Sequence, residues 1–248
     1  MPRALAPFLP PLLLILCWHL ASTAGLFPPQ VLVPPGEVAA TLLALARNGE
    51  LADHLGRSLA RLVAGFSLGA LAGLAFGAAL ALSRWAEALF GPIFQAIRQV
   101  PVLAFIPMLV LLLGIDETFK IAVVAISAFF PVALATFDGV RGVPQRWFEV
   151  ARVYRTPPAQ FVRRILIPAT APAVLTGLRI GLTRAWLVLI TAELLAADSG
   201  LGQMMEMGRQ MFRIDVVLCG VFVSGLVGFA LDRGAKLIEA RATRWRTA

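Results

Sequence analysis

Hydrophobic runs long enough to cross a bilayer recur along the chain, separated by polar stretches that are short with one exception. Residues 62–82 form the clearest run: 21 positions without a charge, enough at about 1.5 Å per residue to cross a hydrocarbon core of roughly 30 Å. Further spans are predicted at 99–115, 121–137, 173–197 and 216–231. Residues 1–25, an apolar run with one Arg and a small-residue end, fit either a signal peptide or a first span, and we read them as a retained span. Cys17 follows Leu14, Ile15 and Leu16 rather than small residues, which argues against a lipoprotein site. The Pro-rich segment 26–36 cannot stay helical. Residues 38–46 and 51–59, with apolar positions at helical spacing and a break at Asn48–Gly49, predict helix lying at the outer interface.

Two patterns refine the spans. Gly65, Gly69, Gly73 and Gly77 recur every four residues and place a groove along one face of the second span, where another helix backbone can approach closely. Gly220, Ser224 and Gly228 repeat the spacing in the last. Pro101, Pro107 and Pro131 fall inside spans and predict kinks rather than breaks, because in lipid the neighbouring helices can satisfy the freed carbonyls. The predicted fold class is an all-α polytopic membrane protein with six transmembrane helices. Residues 1–57 supply the first span and the external segment, 58–232 a core with five spans, and 233–248 a basic cytosolic tail.

The exception is the segment 138–172, about 35 residues in length. It carries Arg141, Arg146, Arg152, Arg155, Arg163 and Arg164 between two apolar runs. Its pattern predicts one short helix at 148–155 and another at 158–167, with Thr156 as N-cap and Pro157 in the first helical position. Two short helices joined by a turn make a knob, either docking a partner or hugging the membrane.

Composition agrees with a membrane chain: 59% hydrophobic, mean hydropathy +0.82 and 15% charged residues, against roughly 25% charged in globular domains. The net charge of +8 belongs to basic loops rather than to a nucleic-acid surface, since almost every long stretch is apolar. With the N-terminus inside, the inner segments hold Arg3, Arg84, Arg98, the loop arginines and the tail cations. The outer segments hold Arg47, Arg57, Arg61, Lys120, Arg209 and Arg213. The positive-inside rule then puts both termini and the long loop in the cytoplasm.

Catalytic chemistry is absent from the pattern, with no Ser/His/Asp set, paired inner carboxylates or metal-ligand cluster, so neither a cofactor nor a metal is expected. Cys17 and Cys219 have no thiol or His at metal spacing, and His19 and His54 are isolated. No G-x-x-x-x-G-K-[ST] occurs, so the chain cannot hold ATP by a P-loop of its own.

Within the loop, Glu149, Val150 and Ala151, followed at fixed distance by Ile165, Ile167 and Pro168, resemble the EAA loop of ABC importer permeases. That loop reads E-A-A, three residues, G, nine residues, I-x-L-P. Val150 replaces one alanine, Ile167 replaces the leucine, and Arg155 stands where the pattern has Gly. A non-Gly residue in a left-handed turn costs on the order of 1 kcal/mol; Pro157–Pro158 offers another way to fix the turn. Beyond the loop, PVLAFIPMLVLLLGI, AFFPVALATFDGVR, ATAPAVLTGLRIGLTRAWLVLITAELL and GLGQMM are similar to the branch that imports sulfonates, taurine and nitrate. The similarity runs from about residue 58 to the end.

The resemblance implies a six-span type I permease of the bacterial cytoplasmic membrane, itself not an enzyme. Its implied partners are membrane lipid, a second copy of the permease, two cytosolic ABC ATPase subunits and an external or periplasmic solute-binding protein. It also implies that the loop docks the ATPase through Glu149, Val150, Ala151, Arg155, Ile165 and Pro168, so that ATP drives alternating access.

Within the fifth span, Glu193 and Arg184 are candidates for the translocation path, because an ionisable side chain inside a span usually faces a cavity or a partner. For Glu193, four residues from the outer end, an interfacial carboxylate is the other reading. The family resemblance covers an acidic residue there and also Arg179, near the cytosolic end. Arg184 and Glu193 are nine positions apart and, at about 100° per residue, point to opposite faces. Arg184 suits an anionic solute. The expected function is the transmembrane subunit of an ATP-driven importer for a small solute, an aliphatic sulfonate, taurine or nitrate being the class favoured. A secondary transporter subunit, which should show internal repeats and several mid-membrane charges, and a membrane assembly or signalling subunit are the alternatives.

Overall fold

The computed structural model describes residues 9–24, 28 and 32–244, and all regular structure among them is helical. Helix α1 (Leu9–Thr23) has 15 residues, about 22 Å of helix and less than a bilayer core. The rest of the predicted segment 1–25 lies outside the described residues apart from Ala24. Helix α2 (Pro35–Arg47) opens on Pro35, where a missing N–H costs nothing. It stops at Asn48 and Gly49, the latter at φ +83°, and the Asn48 side chain accepts the Glu50 N–H at 3.0 Å to start the next helix.

That next helix, α3 (Glu50–Leu82), has 33 residues. The predicted interfacial stretch 51–59 and the span 62–82 are therefore one helix, a correction with a simple cause. No proline or turn pair lies between them, and the polar residues at the join, Ser58 and Arg61, find partners instead of ending the helix.

A larger correction follows. Ser83 caps helix α4 (Arg84–Ile97) by accepting the Ala86 N–H at 3.2 Å, so a segment read as an inner loop is helical. A 3₁₀ turn (Val102–Phe105) and helix α5 (Ile106–Leu113) come next, and the two halves meet at 89°. The predicted span 99–115 is thus one arm of a broken pair rather than a kinked rod. Pro101 lacks an N–H and biases Val100 away from helical backbone, and the break falls at this point. Pro131, by contrast, sits inside a continuous helix α6 (Glu117–Arg141).

After α6 come α7 (Gln145–Val153), α8 (Pro158–Phe161), a π-helical turn (Val162–Leu166) and α9 (Ile167–Ala196). Helix runs on from Pro158 to Ala196, 39 residues, so the fifth span begins inside the predicted loop 138–172. The π turn explains how. Its closing bond, Ile167 N–H to the Val162 carbonyl, spans five residues and widens the ladder just before Pro168, whose ring would otherwise crowd the carbonyl four residues back. Helices α10 (Leu201–Gln210) and α11 (Ile214–Ala242) follow.

Four helical runs among the described residues are long and apolar enough to cross a membrane: α3, α6, Pro158–Ala196 and α11. The bent pair makes a fifth if it is one span. The described residues up to Ser58, with Glu193–Leu226, form one compact unit, and Leu59–Ala192 with the described residues from Val227 onward form another.

In the larger unit, the glycine face of α3 lies on α6. A Cβ at Gly69 would come within 2.1 Å of the Ala125 carbonyl oxygen, and one at Gly77 within 2.2 Å of that of Ala133. At Gly65 and Gly73 the obstacles are Val124 at 2.6 Å and the Phe129 carbonyl oxygen at 2.8 Å. Backbone contact of this kind is available only to residues without a side chain. Phe76, Phe94, Phe129 and Phe130 fill the adjoining space with ring centroids 5.1–6.3 Å apart.

Candidate functional site

The knob predicted in the loop is present, with its boundaries shifted. Helix α7 ends in a Schellman motif: the Thr156 N–H donates to the Ala151 carbonyl at 2.9 Å and the Arg155 N–H to that of Arg152 at 3.1 Å. This motif requires a left-handed residue at its C′ position, which is Arg155, at φ +50°. The cap of α8 is Pro157 rather than Thr156, and Pro158 rather than Pro157 takes the first helical position, with no side-chain cap bond. Pro157 fixes its own φ, so the turn needs no capping hydroxyl.

Phe148 of α7 meets Phe161 of α8 at 5.0 Å between ring centroids, and both pack on the buried cluster Val140, Val143 and Leu166. The knob is thereby fixed to the ends of α6 and α9. Of the six residues assigned to coupling, Glu149, Val150 and Arg155 are exposed, while Ala151, Ile165 and Pro168 are half-buried. Two hollows flank α7. One, about 520 Å³, is lined by Trp147, Val150, Arg164, Ile165, Pro168 and Ala169. The other, about 400 Å³, is lined by residues that include Phe148, Pro158, Phe161, Arg152 and Arg155.

Sequence reasoning missed the outward apolar residues of this knob. Val150, Val153 and Tyr154 are exposed, the last two at 79%. Their spacing of three and four is the signal that finds them, since it defines a second apolar face on a helix whose Phe148 already points inward.

The ionisable residues of the spans have separate surroundings. Arg184 is exposed on α9 and its side chain has no hydrogen bond or ion pair among the described residues. Arg179, also on α9, reaches Asp232 at 3.5 Å and Glu239 at 3.1 Å on α11. Glu193 is 1% exposed. It accepts the Ser58 hydroxyl at 2.8 and 2.9 Å and the Gly202 N–H at 3.1 Å, while the Ser58 oxygen accepts the Leu201 N–H at 3.0 Å. His54 Nδ1 accepts the Gly200 N–H at 3.1 Å. The carboxylate therefore organises the N-terminus of α10, whose first N–H groups have no partner of their own in the helix. Gly200 is at φ +111°, and a Cβ there would meet the Glu193 carboxylate at 2.3–2.5 Å.

A third cluster was hidden in the sequence. Arg61 and Lys120, assigned by charge counting to outer segments, are 3% and 2% exposed. Arg61 donates twice to Glu117, at 2.6 and 2.5 Å, and Lys120 once at 3.2 Å. The pairing joins residues 56 apart in sequence, which no local pattern reveals. On α10, hydrogen bonds from Arg209 and Gln210 hold the Glu206 carboxyl at about 2.

No group of His, Cys, Asp and Glu that could hold a metal occurs among the described residues.

Residues 65–244 match the family model for the binding-protein-dependent transport system inner membrane component. The chain belongs to this family. It is 37% identical over 236 residues to the putative aliphatic sulfonates transport permease of Bacillus subtilis, covering 95% of this chain and 86% of that one. It is 35% identical over 237 residues to the taurine transport system permease of Escherichia coli, covering 94% and 86%. In fold it is similar to a chain of the MetNI methionine ABC transporter in an inward-facing conformation, with a TM-score of 0.59, 22% identity, and 76% and 95% of the two chains covered. The protein is thus an ABC importer permease, multi-pass in the membrane and all-α, with the type I importer fold. It is not an enzyme, because ATP hydrolysis in such systems belongs to a separate subunit.

Proposed function

We propose that this permease carries a small organic or inorganic anion, of the aliphatic sulfonate, taurine or nitrate class, inward across the bacterial cytoplasmic membrane. It pairs with a second copy of itself, two cytosolic ATPase subunits and an external solute-binding protein. Six spans, counting 1–25 as the first, put both termini and the knob in the cytoplasm. The observation that carries the reading is the knob packed between α6 and α9, in a chain that aligns almost end to end with sulfonate and taurine permeases.

In this reading Glu149, Val150, Ala151, Arg155, Ile165 and Pro168 present the knob to the ATPase. Closure of the ATPase dimer then swings α6 and α9, and the glycine contacts at Gly65, Gly69, Gly73 and Gly77 keep α3 moving with α6. Arg184 faces the translocation path and favours an anion, a role supported by its exposure within a span and by its lack of an ion pair. Glu193 acts at the same path from its outer end by holding α10 in place. Residues 1–57 serve as the first span and external segment, 58–232 as the translocating core and 233–248 as a cytosolic tail.

The test is uptake by the full complex in proteoliposomes, with labelled taurine, an alkyl sulfonate and nitrate offered in turn. Arg184→Ala is expected to reduce anion uptake at least about tenfold while ATP hydrolysis continues, the loss of a charged contact being equivalent to 1.4 kcal/mol or more. Uptake at the wild-type rate removes Arg184 from the path.

A further inference from the structure

Arg152 and Arg155 line a hollow of about 400 Å³ together with the rings of Phe148 and Phe161. Neither side chain has a hydrogen bond or ion pair among the described residues. Arg155 also occupies a left-handed backbone position, at φ +50°, that glycine fills without strain. An arginine near a helix C-terminus can be explained by the helix dipole alone, and that accounts for Arg152. It does not account for Arg155, which lies beyond the last turn and gives up backbone comfort to hold a cation over the hollow.

We propose that this hollow seats an acidic side chain of the ATPase subunit, bound between the two guanidinium groups. The inference rests on the knob's proposed role in coupling and adds the chemistry of its partner. A guanidinium presents a planar fork that matches a carboxylate with two parallel hydrogen bonds, and the Phe148 and Phe161 rings exclude water from one side of that contact. The exposed Val153 and Tyr154 border the same turn and supply apolar area around the charge. Anionic lipid is the competing partner. A lipid surface requires only charge, however, and the exposed Arg146, Arg163 and Arg164 supply it without a hollow or a left-handed residue.

The experiment coexpresses the full chain with the ATPase subunit of its own transport system, extracts the complex in detergent and measures ATPase retained after washes of rising salt. Arg155→Glu and Arg152→Glu are each expected to cut retention about tenfold or more, with a marked dependence on salt. Arg155→Gly is expected to weaken retention although it relieves the backbone. A carboxylate-to-arginine change on the ATPase face is expected to restore retention to Arg155→Glu. Each variant must give a monodisperse gel-filtration peak at the wild-type position, which these exposed sites allow; Arg155→Lys, keeping the charge, serves as the conservative control and is expected to retain most binding.

Retention unchanged in both glutamate variants while Glu149→Arg abolishes it overturns the inference and leaves the knob's role standing. So does unchanged retention with reduced binding of the variants to phosphatidylglycerol vesicles, which makes lipid the partner. If the wild-type chain retains no ATPase, the coupling role falls and this inference with it.

Discussion

Among the described residues, two that are not glycine have positive φ, and they occupy the same position in the same motif. Arg155 ends α7, and Phe212, at φ +56°, ends α10, where the Arg213 N–H donates to the Gly208 carbonyl and the Phe212 N–H to that of Arg209. Replacing either by Gly removes left-handed strain of about 1 kcal/mol. Arg155→Gly is therefore expected to slow hydrogen exchange at the Thr156 amide, whatever it does to ATPase binding. Gly200→Ala has the opposite sign. It adds both a Cβ at φ +111° and a collision with Glu193, and a loss of about 2–4 kcal/mol is expected, read as a lower unfolding midpoint in detergent. At Glu193 the two truncations should separate: Glu193→Gln keeps an acceptor for Ser58, whereas Glu193→Ala leaves buried N–H and O–H donors unmatched and costs about 1–3 kcal/mol more. Arg155 could be singled out from sequence because a family pattern fixes what belongs at that place. The partners of Glu193 could not, since Ser58 lies 135 residues away.

At the level of helices, legibility followed the range of the cause. The glycine spacing on α3 is local, so a close-packed face could be read from it. The cluster of Arg61, Lys120 and Glu117 depends on a contact between α3 and α6, so its charges looked like ordinary loop cations. The predicted loop ends at residue 172, whereas helix runs on through Pro168 and Pro172, with the π turn just before Pro168 making room for its ring. The aromatic pair of the knob provides an element-scale test. Phe148→Ala removes the contact that ties α7 to α8, and a destabilisation of about 2–4 kcal/mol local to the knob is expected. Limited proteolysis should then cut between Val153 and Pro158 while the spans stay intact.

For the molecule in its membrane, topology is the first question that experiment can close. In a variant with Cys17 and Cys219 replaced, Tyr154→Cys should react with an impermeant thiol reagent only from the cytoplasmic side, and Met211→Cys only from the outside; both positions are exposed. Labelling of both from one side contradicts the proposed orientation. The fold class and family were readable because long apolar runs and one basic loop are coarse, additive signals, whereas the bend between α4 and α5 depends on how a single proline competes with its surroundings. The glycine face of α3 also bears on inheritance. Every single-nucleotide change of a glycine codon that alters the residue adds at least a Cβ, or a chain stop, and at Gly69 and Gly77 that atom meets the opposite backbone itself, which cannot rotate away. In a saturation-mutagenesis library selected for uptake, variants at positions 65, 69, 73 and 77 should vanish together, marking a four-residue beat through sequence that otherwise exchanges one apolar residue for another.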